Sequence, residues 1–238
     1  MIDLHCHALP GVDDGPATLE DSLALLRAAH AAGAKTVVAT PHVSPAYPTS
    51  PDTIDALTAE LRPLSPVELL AGAEVAHEPA LELPDDVLRR LTLGDSRTIL
   101  LESPLSPSVG PVFERAFESL LERGYRVLLA HPERAAIFLG QPQRLRALVE
   151  QGALCSITAS ALSGRFGQGP RWYAYELLRD GLVHSVDSDA HNETGRPPGL
   201  REGMLDAAET LPFVASRAGW YMTRVPAALL ADEPLPQQ

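Results

Sequence analysis

At 238 residues the chain can bury one large core, and 45% hydrophobic with 21% charged residues is a globular composition. A formal charge of −12 sets the surface against nucleic-acid phosphates. No apolar run reaches the ~20 residues that span a bilayer and no basic start leads into one, so neither membrane insertion nor export is expected.

The first predicted strand, IDLHCH (2–7), puts His5 and His7 on one face and Cys6 on the other, because side chains alternate. A helix follows from Thr18, capped by that threonine with Asp21 three residues on, and stops at Gly33. KTVVAT (35–40) is the second strand; His42 follows it, then a proline-rich stretch, VSPAYPTSP (43–51), placed to form a substrate rim. A helix over 52–62 leads to VELLAGAEV (67–75), which carries Glu74, and a helix over 84–91 to RTILLES (97–103), which carries Glu102. A helix over 111–123 precedes RVLLAH (126–131) with His131, and a helix over 142–151 precedes ALCSIT (153–158). The last pair is a helix over 171–180, opened by Trp172 and Tyr173 as packing residues, and LVHSVDS (182–188). Asp189 and His191 come next, while His30, His77 and His184 read as structural.

Seven strands separated by helices predict one α/β domain over 1–238, a parallel sheet closed or nearly closed into a barrel. The alternative, an open doubly wound sheet, lacks its glycine-rich turn after the first strand. A parallel barrel gathers the carboxyl ends of its strands on one face. His5, His7, His42, Glu74, Glu102, His131, Asp189 and His191 would meet there. Carboxylates crowded together call for cations, and mixed nitrogen and oxygen donors suit Mn, Fe or Zn better than Ca or Mg. The supply exceeds what one tetrahedral ion needs, so two or three are expected. Cys6, turned towards the helix layer, reads as a small apolar residue. A cysteine-dependent phosphatase is excluded, since Val12 and Ala161 stand where its phosphate-cradling arginine would fall. With no disulfide framework from Cys6 and Cys155, a reducing cytoplasm is the expected location.

The ordered set D-x-H-x-H, strand-end His, two strand-end Glu, H-P-E-R and S-D-A-H resembles the polymerase and histidinol phosphatase (PHP) superfamily. PGVDDGP (10–16), TPH (40–42), GAE (72–74), DSRTILLE (95–102), AHPER (130–134) and SDAHNETGRPP (188–198) narrow this. They are similar to the metal-dependent protein-tyrosine phosphatases of bacterial capsule and exopolysaccharide clusters, from Met1 to about Pro226. The resemblance implies a distorted seven-stranded barrel and a trinuclear site, usually manganese, whose ligands are the eight residues above. It further implies Arg134 and Arg196 as holders of the phosphoryl group, and the tyrosine-rich tail of a bacterial tyrosine kinase as substrate. Ala135 stands where an aromatic often follows HPER, and Val225–Pro226 replaces the usual NP.

On that basis a hydroxide bridging two ions attacks phosphorus while the arginines neutralise the other oxygens. Asp3 is expected to orient a ligand histidine from behind, and Asp14, rather than Asp13, to give similar support. Histidinol phosphate phosphatase is the rival within the superfamily. A proofreading exonuclease is disfavoured by the acidic charge, and a non-catalytic kinase-tail binder by the intact ligand set.

Overall fold

Every strand ladder in this chain is parallel, as short β-branched runs separated by helices require. The structure is a computed structural model that describes residues 1–238, the side chain of Pro107 excepted. The strands are β1 (Ile2–Cys6), β2 (Thr36–Ala39), β3 (His42–Val43), β4 (Glu68–Ala71), β5 (Glu74–Val75), β6 (Thr98–Glu102), β7 (Arg126–Ala130), β8 (Leu154–Thr158) and β9 (Ser185–Asp187).

One of the seven predicted strands, VELLAGAEV (67–75), is broken in two, and a two-residue strand, β3, forms at His42–Val43, beyond the predicted end of the second. Between β2 and β3 lies Pro41, which cannot donate to a ladder, while Cys6 N donates to Thr40 Oγ1 at 3.0 Å in place of a ladder bond. Between β4 and β5 lies Gly72, where a Cβ would come within 2.8 Å of Val38 Cγ1, so only glycine lets the two strands approach so closely. The breaks divide the ladders into a three-stranded sheet, β1-β2-β4, and a six-stranded sheet, β3-β5-β6-β7-β8-β9. A distorted seven-stranded barrel, closed or nearly closed, is the expectation from sequence; the parallel sheets are present, and the ladders do not close into one barrel. β1 and β9 are joined instead by an isolated bridge, Cys6 to Ala190, and by side chains: Leu4 N donates to Asp187 Oδ1 at 2.8 Å and Ser188 N to Asp3 Oδ1 at 2.9 Å.

The six predicted helices are all present, the first with its Thr18–Asp21 capping box. Trp172 is a correction. It is 56% exposed, because helix Gln168–Arg179 turns Tyr173, Ala174, Leu177 and Leu178 to the core and leaves Trp172, Glu176 and Arg179 on the opposite stripe. Helices Leu200–Thr210, Phe213–Gly219 and Val225–Leu230, with a π turn at Trp220–Arg224, were not anticipated. The π turn and the last helix close amino ends of the strands, where Ser185 Oγ donates to Tyr221 O at 3.5 Å and Thr98 Oγ1 to Leu229 O at 3.4 Å. Helix Leu200–Thr210 instead packs through Gly203 on Ala159, just past the end of β8. The other carboxyl ends stay free for chemistry.

The β1–β9 seam carries a pH dependence. Burial, then the charge of Asp187, pushes the Asp3 carboxyl up to about 7. The folded chain thus keeps a proton that the unfolded chain releases near pH ~4. Its stabilising contribution is complete below that and is lost as pH rises through 7. Asp187→Asn keeps an acceptor for Leu4 N and replaces the oxygen that accepts from Ser156 Oγ with an amide that can donate to it, while removing the like charge. Its Tm is expected to fall less than that of the parent between pH 5 and pH 8, by thermal melts in parallel buffers (~1 kcal/mol per pKa unit). Parallel declines would remove the Asp3–Asp187 repulsion as the cause.

Candidate metal centre

β1 delivers His5 and His7 inward because they share its parity, and both are buried. Their Nε2 atoms face one another at 3.2 Å. Glu74 Oε2 lies 3.4 Å from each and 3.0 Å from His42 Nδ1, yet it is fully buried without a hydrogen bond. Such an orphaned carboxylate oxygen ringed by imidazole nitrogens is costly by itself and natural around a shared cation. Glu74 Oε1 meets His131 Nε2 at 2.7 Å. Asp189 Oδ1 lies 3.4 Å from His5 Nε2 and 3.5 Å from His7 Nε2. Glu102, at 3.9 Å from His42 Nδ1, is pushed up to about 7 by burial and by the neighbouring Glu74 charge, a pair that a divalent cation would relieve.

All eight sequence-predicted ligands thus fall into four overlapping groups whose donor atoms lie within 4.8 Å of one another. They are His5–Glu74–His131, His5–His7–Asp189, His42–Glu74–Glu102 and His7–Asp14–His42–His191. The residues present fit more than one divalent ion. Two of the supports are in non-glycine left-handed backbone, His131 (φ 37°) and Asp189 (φ 49°), a conformation that Asp and His tolerate better than most. Each turns its side chain back over the mouth just past the end of its strand.

Two expectations about the supporting acids change places. Asp14 does not stand behind a ligand: its Oδ1 lies 3.1 Å from His191 Nε2 and 3.6 Å from His42 Nε2, and the contact with His191 holds its carboxyl below the usual range. Asp13 takes the supporting place, with Oδ2 2.7 Å from His7 Nδ1 and accepting from His42 N at 3.0 Å. Gly15 permits this fold-back, since a Cβ there would come within 2.7 Å of His7 O. Asp3 accepts from the backbone N of His5 at 3.4 Å and of Ser188, and touches no imidazole ring among the described contacts. Its work is on the strand, not on the histidine side chain.

Beside the cluster, Arg134 Nη1 and Arg196 Nη2 both donate to Asp189 Oδ2, Arg196 at 2.5 Å. Arg196 Nη1 lies 2.8 Å from His191 Nε2, and its buried Nε has no partner. Arg134 therefore does not spend its charge on Glu133. That side chain is buried and accepts instead from Thr158 N at 2.9 Å, fixing the turn after β7 to the end of β8. A residue that sequence reading missed joins the arginines: Phe166 has Arg134 Cζ 4.2 Å and Arg196 Cζ 5.9 Å from its ring centroid. No motif marks it. Only its place in the loop before helix Gln168–Arg179, tied by Arg165 Nη1 to Gly195 O at 3.1 Å, brings it there.

Cys6 and Cys155 are both buried, and burial raises both thiols, which removes them as nucleophiles at neutral pH. His184 Nδ1 accepts from Cys155 N at 3.1 Å, His30 is exposed at a helix end, and neither approaches the cluster.

The fold and this geometry define a class: an α/β protein whose strand ends hold an imidazole–carboxylate centre fit for several divalent cations, flanked by a guanidinium pair. Within that class, the chain belongs to the family described as capsular polysaccharide synthesis, CpsB/CapC, whose model matches residues 1–210. It is 37% identical over 200 residues to the tyrosine-protein phosphatase YwqE of Bacillus subtilis, covering 81% of this chain and 78% of that one. With CpsB of Streptococcus pneumoniae, also a tyrosine-protein phosphatase, identity is 30% over 215 residues, covering 85% and 87%. A solved structure from work on YwqE and CpsB, described as unique metal-dependent tyrosine phosphatases, matches with TM-score 0.82 and 32% identity over 100% of this chain and 97% of the other.

Proposed function

We propose that this chain is a metal-dependent protein-tyrosine phosphatase, acting in the cytoplasm on the tail of a tyrosine kinase that controls polysaccharide synthesis or export. The observation that carries the reading is the unpartnered Glu74 Oε2 among three imidazoles, next to two arginines that converge on Asp189. On the same reading β2 with β3, and β4 with β5, are single broken strands, and the nine segments are the seven strands of a distorted barrel.

His5, His7, His42, Glu74, Glu102, His131, Asp189 and His191, joined by Asp14, would hold two or three ions, manganese foremost. Bound divalent metal supplies charge neutralisation at the phosphoryl group and lowers the pKa of water towards ~7. The chain's own residues do the rest. Asp13 holds the Nδ1 proton of His7, and the Asp189 carbonyl that of His191 at 3.0 Å, so each Nε2 presents a lone pair to the cluster. Arg134 and Arg196 bind the non-transferring oxygens, a task that suits planar guanidinium groups. A phenolate leaves with a pKa near ~10, which lessens the need for a dedicated proton donor.

Turnover of a phosphotyrosine peptide, abolished by chelation and restored by added manganese, is the expected result. Turnover of histidinol phosphate alone would favour the rival reading, and no turnover of either would leave a kinase-tail binder. Phe166→Ala is expected to keep its metal but lose about three- to tenfold in kcat/KM on aryl phosphate, the size of a partly desolvated cation–π contact. Inorganic phosphate should inhibit this variant more weakly. Phe166→Tyr should restore both readouts, and an unaffected Phe166→Ala would detach the ring from arginine placement.

A further inference from the structure

One carboxylate of the metal cluster, Glu102, reaches a surface groove. Glu102 lines a cavity of about 350 Å³ walled by Pro45, Ala76, Pro104 and the exposed Leu105, with His77 and Glu78 at its side. Ser44, Pro45 and Glu78 also border a second cavity of about 450 Å³, so the two form one groove leading out from the cluster. The outer part has an apolar lining from Val43, Pro79, Leu83, Val87 and Leu91, with Glu82 added to Glu78. Among the described residues neither cavity is lined by a lysine or an arginine. The cations of the site, Arg134 and Arg196, sit instead against Phe166.

Resting on the phosphatase reading, we infer that this groove takes the peptide chain flanking the phosphotyrosine and selects flanks bearing lysine or arginine over acidic ones. A phosphoryl group at the cluster leaves the rest of the peptide to continue over the rim. There the stems of long cationic side chains can cover apolar lining while their heads meet Glu78 and Glu82. The rim is stiffened by Pro45, Pro48, Pro51 and Pro79, so little ordering accompanies docking. Acidic flanks meet two carboxylates and the −12 charge of the whole chain.

The test uses three phosphotyrosine peptides identical except for lysine, alanine or glutamate beside the phosphotyrosine, with p-nitrophenyl phosphate as a groove-independent substrate. The metal-loaded parent is expected to favour the lysine over the glutamate peptide by about five- to tenfold in kcat/KM, as two partly exposed charge pairs provide. High salt should shrink that ratio. Glu78→Gln/Glu82→Gln should bring it below about threefold while p-nitrophenyl phosphate turnover stays at the parent level. Glu82→Gln alone, in the outer cavity, should give a smaller fall in the same direction. Equal rates on all three peptides in the parent, or an undiminished ratio in both variants, would overturn the groove assignment and leave the phosphatase intact. Failure to hydrolyse any phosphotyrosine substrate would instead overturn the reading beneath it.

Discussion

His5→Ala is expected to lose bound metal and, with it, turnover. His5 Nε2 belongs to two of the four donor groups and stands 3.2 to 3.4 Å from His7, Glu74 and Asp189, so its removal opens more than one coordination position at once. Loss of an outer partner of a metal ligand costs roughly 10–100-fold in affinity or activity, and loss of a shared ligand should exceed that. Asp13→Asn supplies the internal scale. It leaves every donor atom of the cluster in place and weakens only the support of His7 Nδ1 and of the His42 backbone N, so its loss should fall within that range. Metal analysis after dialysis and kcat/KM at fixed added manganese measure both effects. A His5→Ala protein with full metal and full rate would take His5 out of the centre, and equal losses in the two variants would erase the distinction between holding an ion and supporting a residue that holds one.

The ligand positions were legible because two simple regularities carry them. Alternation along β1 puts His5 and His7 together, and strand ends converge whether or not the ladder closes. Adjacent acids have no such regularity. Asp13 and Asp14 are the same residue type one step apart, and which one reaches the cluster depends on a loop that folds back against Gly15. Phe166 was invisible for a related reason, since its partners are far away in sequence and meet it only through the packing of two loops. The break at Gly72 was written in the sequence as a missing Cβ, but it lay inside the apolar run 67–75 that reads as a single strand, and β3, past Pro41, is only two residues long. The C-terminal helices went unseen because the barrel pattern that organised the reading ended at His191.

Arg196→Ala, by contrast, should keep its metal and lose rate. Asp189 Oδ2 receives bonds from both arginines, so removing one leaves Arg134 to hold the carboxylate and its Oδ1 still faces His5 and His7. What disappears is a guanidinium beside the cluster whose side chain stays about a quarter exposed and can meet an anion there. A charge-assisted hydrogen bond contributes about 1.5–3 kcal/mol, which at 1.36 kcal/mol per decade corresponds to a fall of roughly 10- to 150-fold in kcat/KM on an aryl phosphate. Arg196→Lys should recover little, because an ammonium cannot reproduce the planar two-point contact. The double variant Arg134→Ala/Arg196→Ala is a different case: Asp189 then loses both partners, and metal retention should change along with rate. Unchanged kinetics in Arg196→Ala would place the phosphoryl group away from this guanidinium. Loss of metal in that single variant would make Arg196 a support for Asp189 rather than a ligand of the phosphate.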